Sequence, residues 1–196
     1  SGHRYRERLA RAKTMEMNFF ERPIAVTDVA TPGLDVRHHE IIEIGLVVVN
    51  QKTFEIIDTL DIKVAPSHIE TGDPRSALIA GYRPDHWEEA VSLKEAMTQY
   101  AAKTQGAIFA AWNITFDWQF IEEAFRVTGV HDGMDYHRLD VPSIAWALFR
   151  DKGLETLRLS KVCEFFGIPP EPSPHRGING AMKAYEVLKR LLAMGE

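Results

Sequence analysis

The chain has 196 residues, enough for one substantial hydrophobic core and too few to require two. Hydrophobic residues make up 45% and charged residues 26%, ordinary proportions for a globular protein, and the apolar runs are broken by Glu or Gly well short of a membrane span. A net charge of −5 argues against a protein that coats long duplexes through many phosphate contacts, and a single cysteine excludes an intramolecular disulfide and a cysteine-based zinc cluster.

In chain order, Ser1-Gly2 reads as a remnant of expression, and no charged-then-apolar secretory pattern follows it. Residues 1–20 form a basic segment or helix, with Arg4, Arg6, Arg8, Arg11 and Lys13 against Glu7; a solvated terminal helix is the plainer reading and a basic arm the alternative. Residues 21–196 form a single domain. Apolar and β-branched runs predict strands over Ile24–Val29, Ile41–Val49 and Phe54–Val64, with Asn50-Gln51-Lys52 as a turn. Pro66 to Asp85 reads as loop and turns, and helical periodicity runs from Trp87 to Thr104. A short buried strand at Ala107–Ala111 feeds a helix over Phe116–Val127, whose stripe is Phe116, Phe120, Ile121 and Phe125. A strand at Tyr136–Asp140 and helices after Pro142, over Leu157–Phe166 and over Ile178–Met194 complete the chain. A meander followed by strands alternating with helices predicts an α/β fold: a mixed sheet of about five strands with helices on both faces. Cys163 falls in a helical apolar pattern, which suits a core thiol in reducing, cytoplasmic surroundings.

Three residues stand out chemically. Asp28 lies near the end of an apolar strand and shares a sheet face with Ala30; a buried aspartate there is either a metal ligand or a hydrogen-bonded structural group. Asp117, in W-N-I-T-F-D-W-Q-F, falls at a helix start, where a cap or dipole partner is the ordinary role. His175 precedes the last helix.

The order and spacing of these pieces resemble a family. Asp28 with T-P-G-L after it, H-E-I-I-E-I-G-L-V-V-V at 39–49, N-I-T-F-D at 113–117, and H-R-G-I-N-G-A with K-A-Y-E-V-L-K-R-L-L at 175–192 look like the DEDDh 3′-to-5′ exonucleases of the RNase H-like superfamily, the group of proofreading exonucleases, RNase T and oligoribonuclease. The resemblance extends to G-Y-R-P-D-H-W-E-E-A at 81–90 and to L-R-L-S-K-V-C-E-F-F-G-I at 157–168, and covers Ile24 to Leu192.

That resemblance implies hydrolysis of phosphodiesters at the 3′ end of single-stranded RNA or DNA with two divalent ions, Mg²⁺ or Mn²⁺, and a histidine base. It places Asp28 and Asp117 as metal ligands and His175 as the base, with Leu34 as an apolar wedge and Asn113 as a further substrate contact. Two acidic positions of the pattern are replaced, by Ala30 and Gly180. Glycine is not what an experimenter would install at 180, so the losses read as natural divergence. The expectation is weakened metal binding and weakened activity, with any residue of activity preferring Mn²⁺; the competing reading is an inactive module that binds nucleic acid or a protein partner. Asp35 and Glu40 read as turn or solvated residues rather than substitute ligands, Trp118 as core, and His137 and Asp140 as structural; Trp112 and Trp118 are the aromatics placed to stack on bases. Family members are often dimers, which makes a homodimer one expected state.

Overall fold

The computed structural model describes residues 17–173 and 175–194. The expected N-terminal basic segment lies outside the described residues up to position 16; beyond it, Phe19–Glu21 forms one 3₁₀ turn capped by the Asn18 side chain. Five strands follow: β1 (Ile24–Ala30), β2 (Glu43–Val49), β3 (Ile56–Lys63), β4 (Ile108–Ala111) and β5 (Arg138–Asp140). They form one mixed sheet in the order β3-β2-β1-β4-β5. The meander β1–β2–β3 is antiparallel, whereas β4 and β5 run parallel to β1. β1 and β4 are therefore central, and both are nearly all apolar because helices cover both faces.

On one face pack α2 (Leu93–Thr104) and α3 (Ile114–Thr128), burying Ala25, Val29, Ile44, Leu46, Met97, Tyr100 and Phe120. On the other lie α4 (Val141–Phe149), α5 (Leu159–Phe165) and α6 (Gly177–Ala193), over Ile24, Val26, Val47 and Val49. Cys163 is buried in this second layer, where burial pushes its thiol above the usual range.

Three sequence expectations need correction. The segment read as loop from Pro66 to Asp85 contains a helix, α1 (Pro74–Ile79), started by Pro74 and by Asp73, whose carboxylate accepts from the amides of Arg75 and Ser76. The helix expected from Trp87 starts at Leu93, where Ser92 caps it; Trp87 instead ends a 3₁₀ turn and turns its ring inward, donating Nε1–H to the Ile42 carbonyl at 3.1 Å. The helix expected from Leu157 likewise begins two residues later, at Leu159.

Candidate functional site

β1 outruns its parallel neighbour. Pairing with β4 ends at Val26 opposite Ala110, so the amides of β1 beyond it need other partners. Asp117, in the first turn of α3, supplies one: its Oδ1 accepts from the Val29 amide at 3.0 Å. α3 begins just past the carboxyl end of β4, at Asn113, which takes a left-handed conformation (φ 68°) that asparagine tolerates better than most residues. The Asn113 side chain is exposed and accepts from the Thr115 hydroxyl. The fold thus brings Asp28 and Asp117 together at the carboxyl ends of adjacent parallel strands, the ordinary place for a ligand crevice in an open sheet.

From the opposite layer comes α6, and its start is pinned tightly. A side chain at Gly45 would put its Cβ 2.0 Å from the carbonyl carbon of Gly177, so β2 and α6 touch backbone to backbone. Glu43, 1% exposed, accepts from Arg176 Nε and Nη2 at 3.0 and 2.9 Å and from the Gly177 amide at 3.2 Å. Arg176 also reaches Asp61 at 2.7 Å. A buried carboxylate held by a guanidinium and a helix N-terminal amide satisfies both the charge and an orphan donor of the helix.

This pinning sets His175 beside β1. Its Nε2 lies 3.8 Å from Asp28 Oδ2, and its Nδ1 lies 2.7 Å from Glu171 Oε1. The hydrogen bond to Glu171, foremost, raises the imidazole's affinity for a proton, against the cost of burial. Burial pushes Asp28 up to about 7 despite the nearby imidazole, which pulls it down. Asp117 is raised well above the carboxylate range, first by burial and second by the charge of Asp28.

The two replaced positions have been filled by packing. Above Gly180 sits the Asp28 carboxyl group itself: a Cβ at 180 would fall 2.5 Å from Asp28 Oδ2 and 2.7 Å from its Cγ. That same Oδ2 is buried without a hydrogen-bond partner among the described residues. Ala30 is 3% exposed and belongs to an apolar cluster with Ile42, Ala80 and Trp87, so a longer acidic side chain there would enter apolar surroundings. Among the described residues no group of three or more His, Cys, Asp or Glu is placed to hold a metal ion. The donor set present, two carboxylates of which one leans onto a glycine, does not fit a two-ion centre.

Other sequence readings resolve cleanly. Leu34 is 77% exposed at the rim of the loop leaving β1, free of the core. Asp35 is tied to Arg37 and His38, and Glu40 accepts from the amides of Ser67 and His68; neither points to a ligand set. Trp118 packs edge-on to Phe109 with the Arg138 guanidinium 3.6 Å from its ring centre, and Trp112 donates to the Leu157 carbonyl. Trp118 thus packs against the core, as read from its position beside a buried strand, and Trp112 packs partly buried against the second layer. His137 bonds to Asp135, and Asp140 accepts from the Ile114 amide that opens α3, a structural role for each.

Sequence reasoning missed Glu43 and Glu171. A signal existed for the first: a lone carboxylate inside an otherwise unbroken apolar strand must be paired. For the second it was the spacing of four residues to His175.

The description "Exonuclease" belongs to the family model that matches residues 25–188. A PolC-type DNA polymerase III of Thermotoga petrophila is 26% identical over 190 residues, covering 96% of this chain and 13% of that protein. The chain thus spans about an eighth of the length of this curated relative. Among solved structures, Escherichia coli exonuclease I in complex with a dT13 oligonucleotide superposes with a TM-score of 0.73 at 13% identity, covering 87% of this chain and 41% of that one. The nuclease domain of 3′hExo, a DEDDh family member bound to rAMP, gives 0.69 at 19% identity, covering 91% of this chain and 96% of that one. These structures share the RNase H-like exonuclease fold, and the family match runs from the first strand into the last helix. The chain belongs to the exonuclease family.

Proposed function

We propose that residues 21–196 form a single exonuclease-like domain that binds the 3′ end of single-stranded nucleic acid in the crevice at the ends of β1 and β4, with two-ion hydrolysis weakened by more than about 100-fold relative to a complete carboxylate set. The observation that carries this reading is the position of Asp28. Its carboxyl group leans into the space over Gly180, and Ala30 lies in an apolar cluster with Ile42, Ala80 and Trp87. Ancestry supports the substrate class: the structural relatives hold a dT13 oligonucleotide or rAMP. On this chain Leu34, exposed on the loop after β1, would press against the terminal base, and Asn113 would face the strand from the start of α3. A reducing, cytoplasmic setting suits the buried free thiol of Cys163.

The test uses 5′-labelled single-stranded RNA and DNA with the native chain and with Asp28→Ala. Binding measured in a chelator is expected for both proteins. In Mg²⁺ or Mn²⁺ the native chain is expected to shorten the strands slowly, more than about 100-fold below an exonuclease with the complete carboxylate set, and Asp28→Ala not at all. Metal-dependent release of mononucleotides at the rate of a complete set would show that the remaining carboxylates suffice for hydrolysis. Failure of the native chain to bind any single strand would remove the end-binding reading.

A further inference from the structure

The imidazole of His175 is held from behind by a group outside the family motif. Glu171 Oε1 lies 2.7 Å from His175 Nδ1, and the same oxygen accepts from the Arg176 amide at 3.4 Å. A carboxylate has no proton to give, so in a neutral ring the proton must sit on Nδ1, and the lone pair is left on Nε2. Nε2 is the nitrogen that faces Asp28, at 3.8 Å. The neighbouring Arg176 cannot take Glu171 away, because its guanidinium is engaged by Glu43 and Asp61.

We propose that Glu171 is a positioning residue: it selects the Nδ1–H form of His175 and aims the Nε2 lone pair into the crevice. An unheld imidazole exchanges between two tautomers and swings about its bonds, whereas one fixed at Nδ1 presents a single acceptor to whatever enters. The hydrogen-bond partner behind a functional imidazole commonly sets its tautomer in this way. The consequence for nucleic acid rests on the function proposed above. A terminal hydroxyl in the crevice would then find an acceptor, not a second donor.

The experiment is imidazole ¹⁵N NMR, on the alkaline plateau of the ring's own titration, on the native chain, Glu171→Ala and Glu171→Gln. The native His175 is expected to show one nitrogen protonated and one bare. In Glu171→Ala the two shifts should move toward the averaged values of exchanging tautomers, and Glu171→Gln, which keeps a carbonyl acceptor at the same reach, should restore most of the native separation. A native-like pair of shifts in Glu171→Ala overturns the proposal, as does a Glu171→Gln spectrum no closer to native than that of Glu171→Ala. Binding of a 5′-fluorescein oligothymidylate, measured in a chelator on the same proteins, is expected to weaken about 10-fold in Glu171→Ala. Absence of binding in the native chain would refute the proposed function and leave the tautomer result standing.

Discussion

At the scale of single residues, Asp28 and Gly180 share one volume. Glycine two turns or less into a helix is ordinarily a weak choice, costing about 1 kcal/mol against alanine. Here the absent Cβ leaves room for the Asp28 carboxyl group. The sign of a Gly180→Ala substitution should therefore depend on Asp28. In the native chain the added methyl presses on a buried carboxyl group and is expected to cost about 1–2 kcal/mol. In an Asp28→Ala background the clash is gone, helix propensity alone remains, and the same change should stabilise by roughly 0.5–1 kcal/mol. Urea unfolding of the four proteins of this cycle measures the coupling; simple additivity of the two substitutions would show that Asp28 does not rest on position 180. The aspartates and the histidine were legible in the sequence through their order. The packing of one of them onto a glycine 152 positions later was not, because no local pattern encodes which side chain fills a lost neighbour's place.

At the scale of elements, the site depends on how closely α6 approaches the sheet. Gly45 on β2 and Gly177 at the helix start meet backbone to backbone, and Glu43 locks the register through Arg176 and the Gly177 amide. Gly45→Ala would drive a methyl to within about 2 Å of the helix backbone. Backbone cannot rotate aside as a side chain can, so the helix must lift from β2, taking His175 with it. The expected cost is more than about 3 kcal/mol, read by denaturant unfolding followed by circular dichroism. A loss under about 1 kcal/mol would mean that the contact is looser than the structure has it. Strand and helix identities in the central sheet were readable because continuous apolar runs and helical stripes are strong signals. α1 was not, since six residues hold too little periodicity to be seen, although Asp73-Pro74 carries the cap and first-turn proline that start it. Trp87 misled for a related reason: its apolar ring reads as the opening of a helix stripe, whereas it closes the cluster over Ala30.

At the scale of the whole molecule, a divalent ion is the simplest probe of whether the crevice has kept its ancestral chemistry. An ion bound only by the folded state stabilises it by RT ln(1 + [L]/Kd), about 2.7 kcal/mol at a hundredfold excess over Kd. For a domain of this size each kcal/mol raises Tm by roughly 2–4 °C, so a competent centre would shift the melting curve by about 5–10 °C. The native chain offers Asp28 and Asp117, and among the described residues no group of three or more His, Cys, Asp or Glu is placed to hold an ion. Burial raises both carboxyl groups, Asp28 up to about 7, so near neutral pH an entering cation must compete with a proton for Asp28. The expectation is a Tm change under about 1 °C in millimolar Mg²⁺ or Mn²⁺ against sodium chloride of matched ionic strength. A shift of several degrees that disappears in Asp28→Ala would place an ion in the crevice and require Asp28 to swing off Gly180 to hold it. Adding the two missing acids as Ala30→Glu with Gly180→Asp is expected not to restore a full shift by itself. Position 30 still lies in an apolar cluster with Ile42, Ala80 and Trp87, and Asp28 still fills the space at 180, so recovery of the ancestral centre needs the neighbours to move as well as the carboxylates to return.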